Sequence, residues 1–369
     1  MVITGMRRTG KTTLLNFFYE KIESKNKLFL DLENPLNRKY FEEKNYEKIK
    51  KTFEFLGIDF SKKTYIFCDE IQFVRNLPSV VKYFIDHYKV KFFLTGSASF
   101  YLKNLFSESL SGRKIIFELY PLTFREFLSF KNFSLYIPEK PQEITPAIFE
   151  TILPLYEEYL LFGGFPGVVL KNIPEEKKKA LEEIFTSFFQ LEVIQIGYFR
   201  RNEIIRDLIL LLMQRIGNRL DIQRLSKELG ASRATLEEYL SFLEGTYFIK
   251  TIRPFSRKKD TEIRKARKVY LCDTGLVNHF VRIDEGLLYE NAIFQNLRMQ
   301  GEINYYQKKS GVEIDFILNR EKAYEVKLTP RETDLKKLKI ISEELKLKEY
   351  WIVSKRYSEL KNIIYGFMV

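Results

Sequence analysis

GMRRTGKTTLL, residues 5–15, satisfies the pattern G-x-x-x-x-G-K-[ST] at every fixed position. The chemistry served by that spacing is phosphate binding. Gly5 and Gly10 let the backbone turn so that successive N–H groups point at phosphate oxygens. Lys11 reaches the outer phosphates, and Thr12 offers a hydroxyl to Mg²⁺. The helix that follows presents its positive end to the anion. The expected contacts are Gly5, Arg8, Thr9, Gly10, Lys11, Thr12 and Thr13. Such a loop needs a strand before it and a helix after it. "MVIT" supplies a short β-branched strand. In "TTLLNFFYEKI" Leu14, Phe17, Phe18 and Ile22 are expected on one buried helical face.

A cradle alone does not hydrolyse, so an acid should follow at the end of a buried strand. "YIFCDE", residues 65–70, is apolar on both faces and then acidic, as in a parallel sheet. Asp69 would hold the metal through water, and Glu70 would activate the attacking water. "VKFFLTGSAS", residues 90–99, is a further strand, whose Thr95 or Ser97 could sense the outermost phosphate. "LFLDLE", residues 28–33, is another strand, and residues 79–88 have helical spacing. The order strand–helix–strand–strand–helix–strand means α/β with a parallel sheet. Arg113 opens the strand "KIIFEL". It is a candidate arginine finger, set against a neighbouring copy's phosphate, or else a surface partner of Glu108 or Glu118.

These residues resemble a family of prokaryotic AAA+-type P-loop ATPases that carry a C-terminal domain of unknown function. The matching pieces are "TGMRRTGKTTLL", "CDEIQ", "LTGSAS", "LSGRKIIFELYPLTFREF", "YLLFGGFPGVVL", "VYLCDTGL" and "GVEIDFILNREKAYEVK". They appear in the family's order over nearly the whole chain. The resemblance implies ATP binding. Family members carry a helical stretch ahead of the cradle that this chain lacks. Whether residues before Met1 are missing stays open at this point; their loss would loosen strand one and part of the base pocket and leave the phosphate ligands intact.

Residues 129–146 read as a linker or the start of a lid, and the glycines of "YLLFGGFPGVVL" as a tight structural corner. "DIQRLSKELGASRATLEEYLSFLEGTYFIKTI" reads as helix, turn, helix, strand. Leu225 and Leu229 bury the first helix, Ser232 caps the second, and Leu236, Leu240 and Leu243 bury it. The acids of the second helix, Glu237, Glu238 and Glu244, make it a poor reader of a DNA groove. The following stretch, Arg253–Lys268, holds eight basic residues against Asp260 and Glu262, a net +6 out of the chain's +12. It reads equally as a hairpin lying along a DNA backbone and as a solvated loop.

Near the C-terminus Glu290 lies on an amphipathic helix, Asp315 in "EIDFIL", and Glu325 with Lys327 on one side of "YEVKL". This spacing resembles the PD-(D/E)xK nuclease core. Asp315 and Glu325 would share a divalent ion, with Glu290 and Lys327 beside it. Alternating charge on a half-exposed strand explains the same residues without chemistry.

The 369 residues exceed a typical single domain. Four segments are expected: a P-loop ATPase domain (1–130), a helical lid (131–205), a winged helix-turn-helix (206–283) and a nuclease-like domain (284–369). No apolar run approaches the roughly 18–20 residues of a membrane span, and no signal region precedes Arg7 and Arg8. A cytoplasmic protein without a membrane partner is expected. Cys68 and Cys272 read as reduced core residues. The leading functional reading is an Mg²⁺-dependent ATPase. The alternatives are an ATP-regulated, metal-dependent DNA nuclease and a nucleotide-gated scaffold binding a protein partner or a second copy.

Overall fold

The computed structural model describes residues 1–97, 115–197, 199, 201–256, 262, 265–308 and 310–369. They pack as two units, one of Met1–Tyr120 with Gly245–Tyr247, the other of Pro121–Glu244 with Phe248–Val369.

The first unit is built on strands β1 (Val2–Thr4), β2 (Lys27–Asp31), β3 (Thr64–Asp69), β4 (Val90–Gly96) and β5 (Ile116–Glu118). They lie in the order β2-β3-β4-β1-β5, and every pair is parallel. The apolar run of β3 is explained by burial on both faces. Ile66 and Cys68 pack with Phe53, Phe84 and Leu94 on one side. Phe67 packs with Leu15 and Phe93 on the other, its ring stacked on that of Phe93 at 4.6 Å. Parallel neighbours need crossovers. The chain therefore inserts helices Pro35–Lys39 and Tyr46–Phe55 between β2 and β3, where the sequence reading ran strand to strand. Helix Lys11–Lys21 also turns differently from expectation. Leu15 is its buried apolar residue, with Phe18, Tyr19 and Ile22 packed beside it, while Phe17 is 51% exposed. The buried positions follow the i, i+3, i+4, i+7 rule counted from Leu15 rather than from Leu14.

The second unit joins helices to a mixed seven-stranded sheet. Its strands are β6 (Ile249–Pro254), β7 (Lys268–Leu271), β8 (Ile303–Gln307), β9 (Glu313–Leu318), β10 (Lys322–Lys327), β11 (Glu349–Ser354) and β12 (Ile363–Tyr365). The order is β12-β11-β10-β9-β8-β6-β7. The expected hairpin β6–β7 is antiparallel, and β6 also pairs parallel with β8, so hairpin and C-terminal strands share one sheet. The helix-turn-helix is present as helices Ile222–Leu229 and Arg233–Gly245. Gly230 ends the first in the left-handed region, and the Ser232 hydroxyl accepts the Thr235 N–H at 3.1 Å. Leu225, Leu236, Leu240 and Leu243 are buried, while Leu229 is only half-buried. Residues 131–145 link helices Phe124–Phe130 and Pro146–Phe162 with only a 3-10 turn at Pro141–Glu143, and are anchored by Ile137 and Ile144 in the core. Cys68 and Cys272 are free, buried thiols.

The "GGFPG" corner closes on the "CDTG" segment. The Asp273 carboxylate accepts the N–H of Gly164 at 2.7 Å and caps helix Thr274–Phe280 through Leu276 N–H at 3.1 Å. Burial pushes the Asp273 carboxyl up to about 6, against the pull of those hydrogen bonds. Its folded pKa lies above its unfolded value, so the folded state holds the extra proton and stability falls as pH rises between about 4 and 6. At about 1.4 kcal/mol per pKa unit, wild type should lose up to about 3 kcal/mol relative to Asp273→Asn between about pH 4 and pH 7. Urea unfolding of both proteins across that range checks the sign and the size.

Candidate functional site

β1 ends at Thr4 and the chain turns at Gly5, whose φ is 155°. A Cβ there would lie 2.0 Å from the Leu119 carbonyl oxygen, so no side chain fits the bend. Arg8 is exposed with φ 68°, and Gly10 with φ 95° leads into helix Lys11–Lys21 without a side-chain cap. The helix thus begins with its N–H groups facing the loop. Thr9 donates its hydroxyl to the Met6 carbonyl at 2.8 Å, which tightens the loop. The buried Lys11 ammonium donates to the same oxygen at 2.8 Å, so the side chain folds back over the loop. Thr12 and Thr13 are exposed in the first helical turn.

The acids of β3 meet this loop. Thr12 donates its hydroxyl to Asp69 Oδ2 at 2.7 Å. Asp69 Oδ1 accepts from the Thr95 hydroxyl and from the Glu70 N–H, the latter at 3.1 Å. Glu70 sits in the left-handed region with φ 55°. Its Oε1 receives Arg7 Nη1 at 3.2 Å, and its Oε2 receives Gln72 Nε2. Gln72 Nε2 also donates to Ser97 Oγ at 3.0 Å. Thr95 therefore serves Asp69, and Ser97 reaches Glu70 through Gln72. Arg113 lies outside the described residues.

The second unit gathers a different cluster. Lys268, expected in the basic hairpin, is buried on β7. Its ammonium lies 3.5 Å from Glu290 Oε1 and 3.9 Å from Asp315 Oδ1, and it pairs with Glu313. Tyr270 donates its hydroxyl to Glu290 Oε1 at 2.6 Å. Burial would lower the Lys268 pKa, but Glu290, Asp315 and Glu313 outweigh it and hold the ammonium charged. Burial, then Asp315, pushes the Glu290 and Glu325 carboxyls above the ordinary range. Asp315 Oδ2 accepts the Val326 N–H at 2.8 Å, and Lys327 Nζ donates to Glu325 Oε1 at 2.7 Å. Glu290 and Asp315 thus converge, but around an ammonium rather than as a cage of ligands. Among the described residues no three His, Cys, Asp or Glu side chains are grouped to hold a metal ion.

Residues 1–128 match the family described as an AAA domain. That match takes in the five-stranded parallel sheet and the Gly5–Thr12 loop of the first unit. Beyond it, residues 153–286 and 285–364 match two domains of unknown function, DUF8612 and DUF4143. A protein of Methanocaldococcus jannaschii described as uncharacterized is 29% identical, over 94% of this chain and 79% of its own. One of Haemophilus influenzae, described in the same way, is 27% identical, over 90% of this chain and 84% of its own. The solved structure of the Aeropyrum pernix ORC1 protein in complex with DNA aligns over 80% of this chain and 87% of its own. That alignment has a TM-score of 0.36 and 13% identity. No helix among the described residues is long and apolar enough to cross a membrane.

The sequence reading passed over three groups. In the first unit these are Arg7 and Gln72. Arg7 occupies a variable position of the motif, so the motif cannot flag it. Gln72 stands two residues beyond Glu70 within "CDEIQ", and only the turn at Glu70 brings it back. In the second unit it is the Lys268 set. All of β7, "KVYL", is buried, and Glu313 stands two residues before Asp315. That spacing was a readable signal; the inward turn of Lys268 was not. Replacing Lys268 with methionine strands three buried or part-buried carboxylates. The expected loss is about 3–5 kcal/mol, seen as a lower urea midpoint.

Proposed function

We propose that this chain is an Mg²⁺-dependent ATPase, releasing ADP and phosphate at the Gly5–Thr13 loop. The observation that carries the reading is the Thr12–Asp69 contact beneath the folded-back Lys11, with Glu70 held alongside. A hydroxyl and a carboxylate this close form an oxygen donor pair suited to a hard divalent ion. Thr12 and Asp69 would hold Mg²⁺, which neutralises charge on the phosphates when bound.

The rest is the work of the chain itself. The loop N–H groups and Lys11 bind and orient the phosphates, as Lys11 exchanges the Met6 carbonyl for phosphate oxygen. Thr95 fixes the Asp69 carboxylate. Glu70 accepts the proton of the attacking water. Arg7 and Gln72 position Glu70, and Gln72 ties it to Ser97, one residue past the end of β4. Arg113 of a second copy would complete the charge around the outermost phosphate.

In the second unit, the helix-turn-helix with its β6–β7 hairpin supports a winged-helix reading. The order Glu290, Asp315, Glu325, Lys327 supports a nuclease-like ancestry. A metal-dependent cleavage there has less support, because Lys268 already supplies the cation among Glu290, Glu313 and Asp315.

The test is phosphate release from ATP with Mg²⁺ by wild type and Lys11→Ala. Turnover in wild type that disappears in the variant supports the reading. Turnover that persists in the variant, or none in wild type, overturns it.

A further inference from the structure

The stretch ahead of the helix-turn-helix forms a rigid ledge on the second unit. Gly217 N–H donates to the Val269 carbonyl at 2.8 Å, Val269 N–H to Asn218 at 3.3 Å, and Leu220 N–H to Arg267 at 2.7 Å. Residues 217–220 therefore lie as an extra antiparallel run beside β7. Side chains alternate along such a run. Leu220 is buried and Arg219 is exposed.

Two hollows open beside the ledge, of about 600 Å³ and 280 Å³, with Leu220, Ile222 and Ala266 in the walls of both. Arg215, Arg219 and Arg224 line the first, and Arg253, Lys265 and Arg267 line the second. The acids nearby are too few to neutralise them. Glu228 alone takes both Arg215 at 2.5 Å and Arg224 at 2.8 Å. Glu237 takes Arg267 at 2.6 Å. Asp221 caps the following helix through the Arg224 N–H at 2.9 Å. Arg219, Arg253 and Lys265 are exposed and have no ion pair among the described residues. Six cations against three carboxylates leave a surplus along the groove formed by these two adjoining hollows.

We infer that this groove binds the phosphate backbone of nucleic acid. The cations are spread over two adjoining hollows, which suits a chain of singly charged anions rather than one compact ligand. Five of the six are arginines, whose planar fork matches phosphate oxygens. The hydrogen-bonded ledge fixes the backbone of Arg219 and Arg267 beforehand, which lowers the ordering cost of binding. The contacts described touch backbone charge alone, so binding should not depend on sequence. An acidic protein segment would need large apolar anchors as well, and of the apolar residues shared by both walls Leu220 is buried, Ile222 is half-buried and only the small Ala266 is exposed. The inference deepens the ATPase reading by naming a partner class, but binding here does not need ATP.

The experiment is fluorescence anisotropy of a labelled 20-base-pair DNA duplex with the full chain, free of nucleotide. It compares wild type with the double variant Arg219→Glu/Lys265→Glu. Both positions are exposed, so folding should survive; circular dichroism checks it. Wild type should bind, with affinity falling linearly on a log–log salt plot. The variant should bind at least about tenfold more weakly. Its salt slope should be shallower by about 2, given roughly 0.9 per phosphate contact. Duplex RNA binding in place of DNA supports the same groove and names the polymer. Absence of binding to either, or equal affinity and slope in the variant, overturns the inference. So does competition by polyglutamate as strong as by DNA, which would assign the groove to an acidic protein. Phosphate release without DNA should match between wild type and variant. If ATP turnover fails in both while DNA still binds, the ATPase reading falls and the groove stands.

Discussion

Replacing Glu70 with glutamine is expected to cut phosphate release from ATP by about 10²–10⁴-fold, the usual worth of a positioned general base, while ATP still binds. Glu70 stands one residue past the strand end that delivers Asp69. Its backbone lies in the left-handed region at φ 55°, which turns the side chain out of the strand's alternation. Arg7 and Gln72 then hold its two oxygens. Glutamine keeps the size and one acceptor oxygen but cannot take a proton from water. Lys11→Ala should differ in kind, because it removes the cation that holds the phosphates and so weakens binding as well as turnover. Equilibrium binding of a fluorescent ATP analogue, run beside steady-state phosphate release, separates the two. If Glu70→Gln turns over at the wild-type rate, the base lies elsewhere, and the Arg7–Glu70–Gln72 arrangement is structural.

Replacing Gly275 with alanine should destabilise the second unit by at least about 3 kcal/mol, the upper range for forced overpacking. A Cβ at Gly275 would lie 2.1 Å from the carbonyl oxygen of Phe162 and 2.9 Å from the backbone nitrogen of Gly163. Both are backbone atoms, so no rotamer change relieves the clash. Helix Pro146–Phe162 and helix Thr274–Phe280 would have to separate. That would pull the Asp273 carboxylate from the Gly164 N–H, leaving a buried charge with fewer donors. Gly167→Ala is the matched control. It lies in the same corner, in helix Pro166–Val169, and a Cβ there meets nothing within 4 Å. Alanine also favours helix over glycine, so the control should be neutral or slightly stabilising. Urea unfolding of the two variants decides. Equal midpoints would mean that the corner yields, and that its glycines serve something other than packing.

How far the sequence could be read depended on whether chemistry was local or brought together from a distance. The Gly5–Thr12 spacing determined the phosphate loop by itself, because N–H direction and helix start are set within eight residues. The apolar run Tyr65–Cys68 and the acids after it determined a strand buried on both faces with carboxylates at its end, since period and length alone carry that signal. The turn at Gly230 and the cap at Ser232 were likewise local. Tertiary structure alone decided which partners those groups meet. Arg7 reaches Glu70 because β1 and β3 lie in one sheet with β4 between them, and no motif spacing encodes that distance, whereas Gln72 is brought back by the local turn at Glu70. Lys268 shows the limit most plainly. By composition it counted among eight basic residues of a surface hairpin. In the fold it faces inward, because pairing β7 with β6 and packing it on helix Glu285–Leu297 buries the whole strand. Charge is a property of the residue and can be read from the chain. Whether that charge meets solvent, a phosphate or three carboxylates depends on which strand neighbours it, and only the packed sheet sets that.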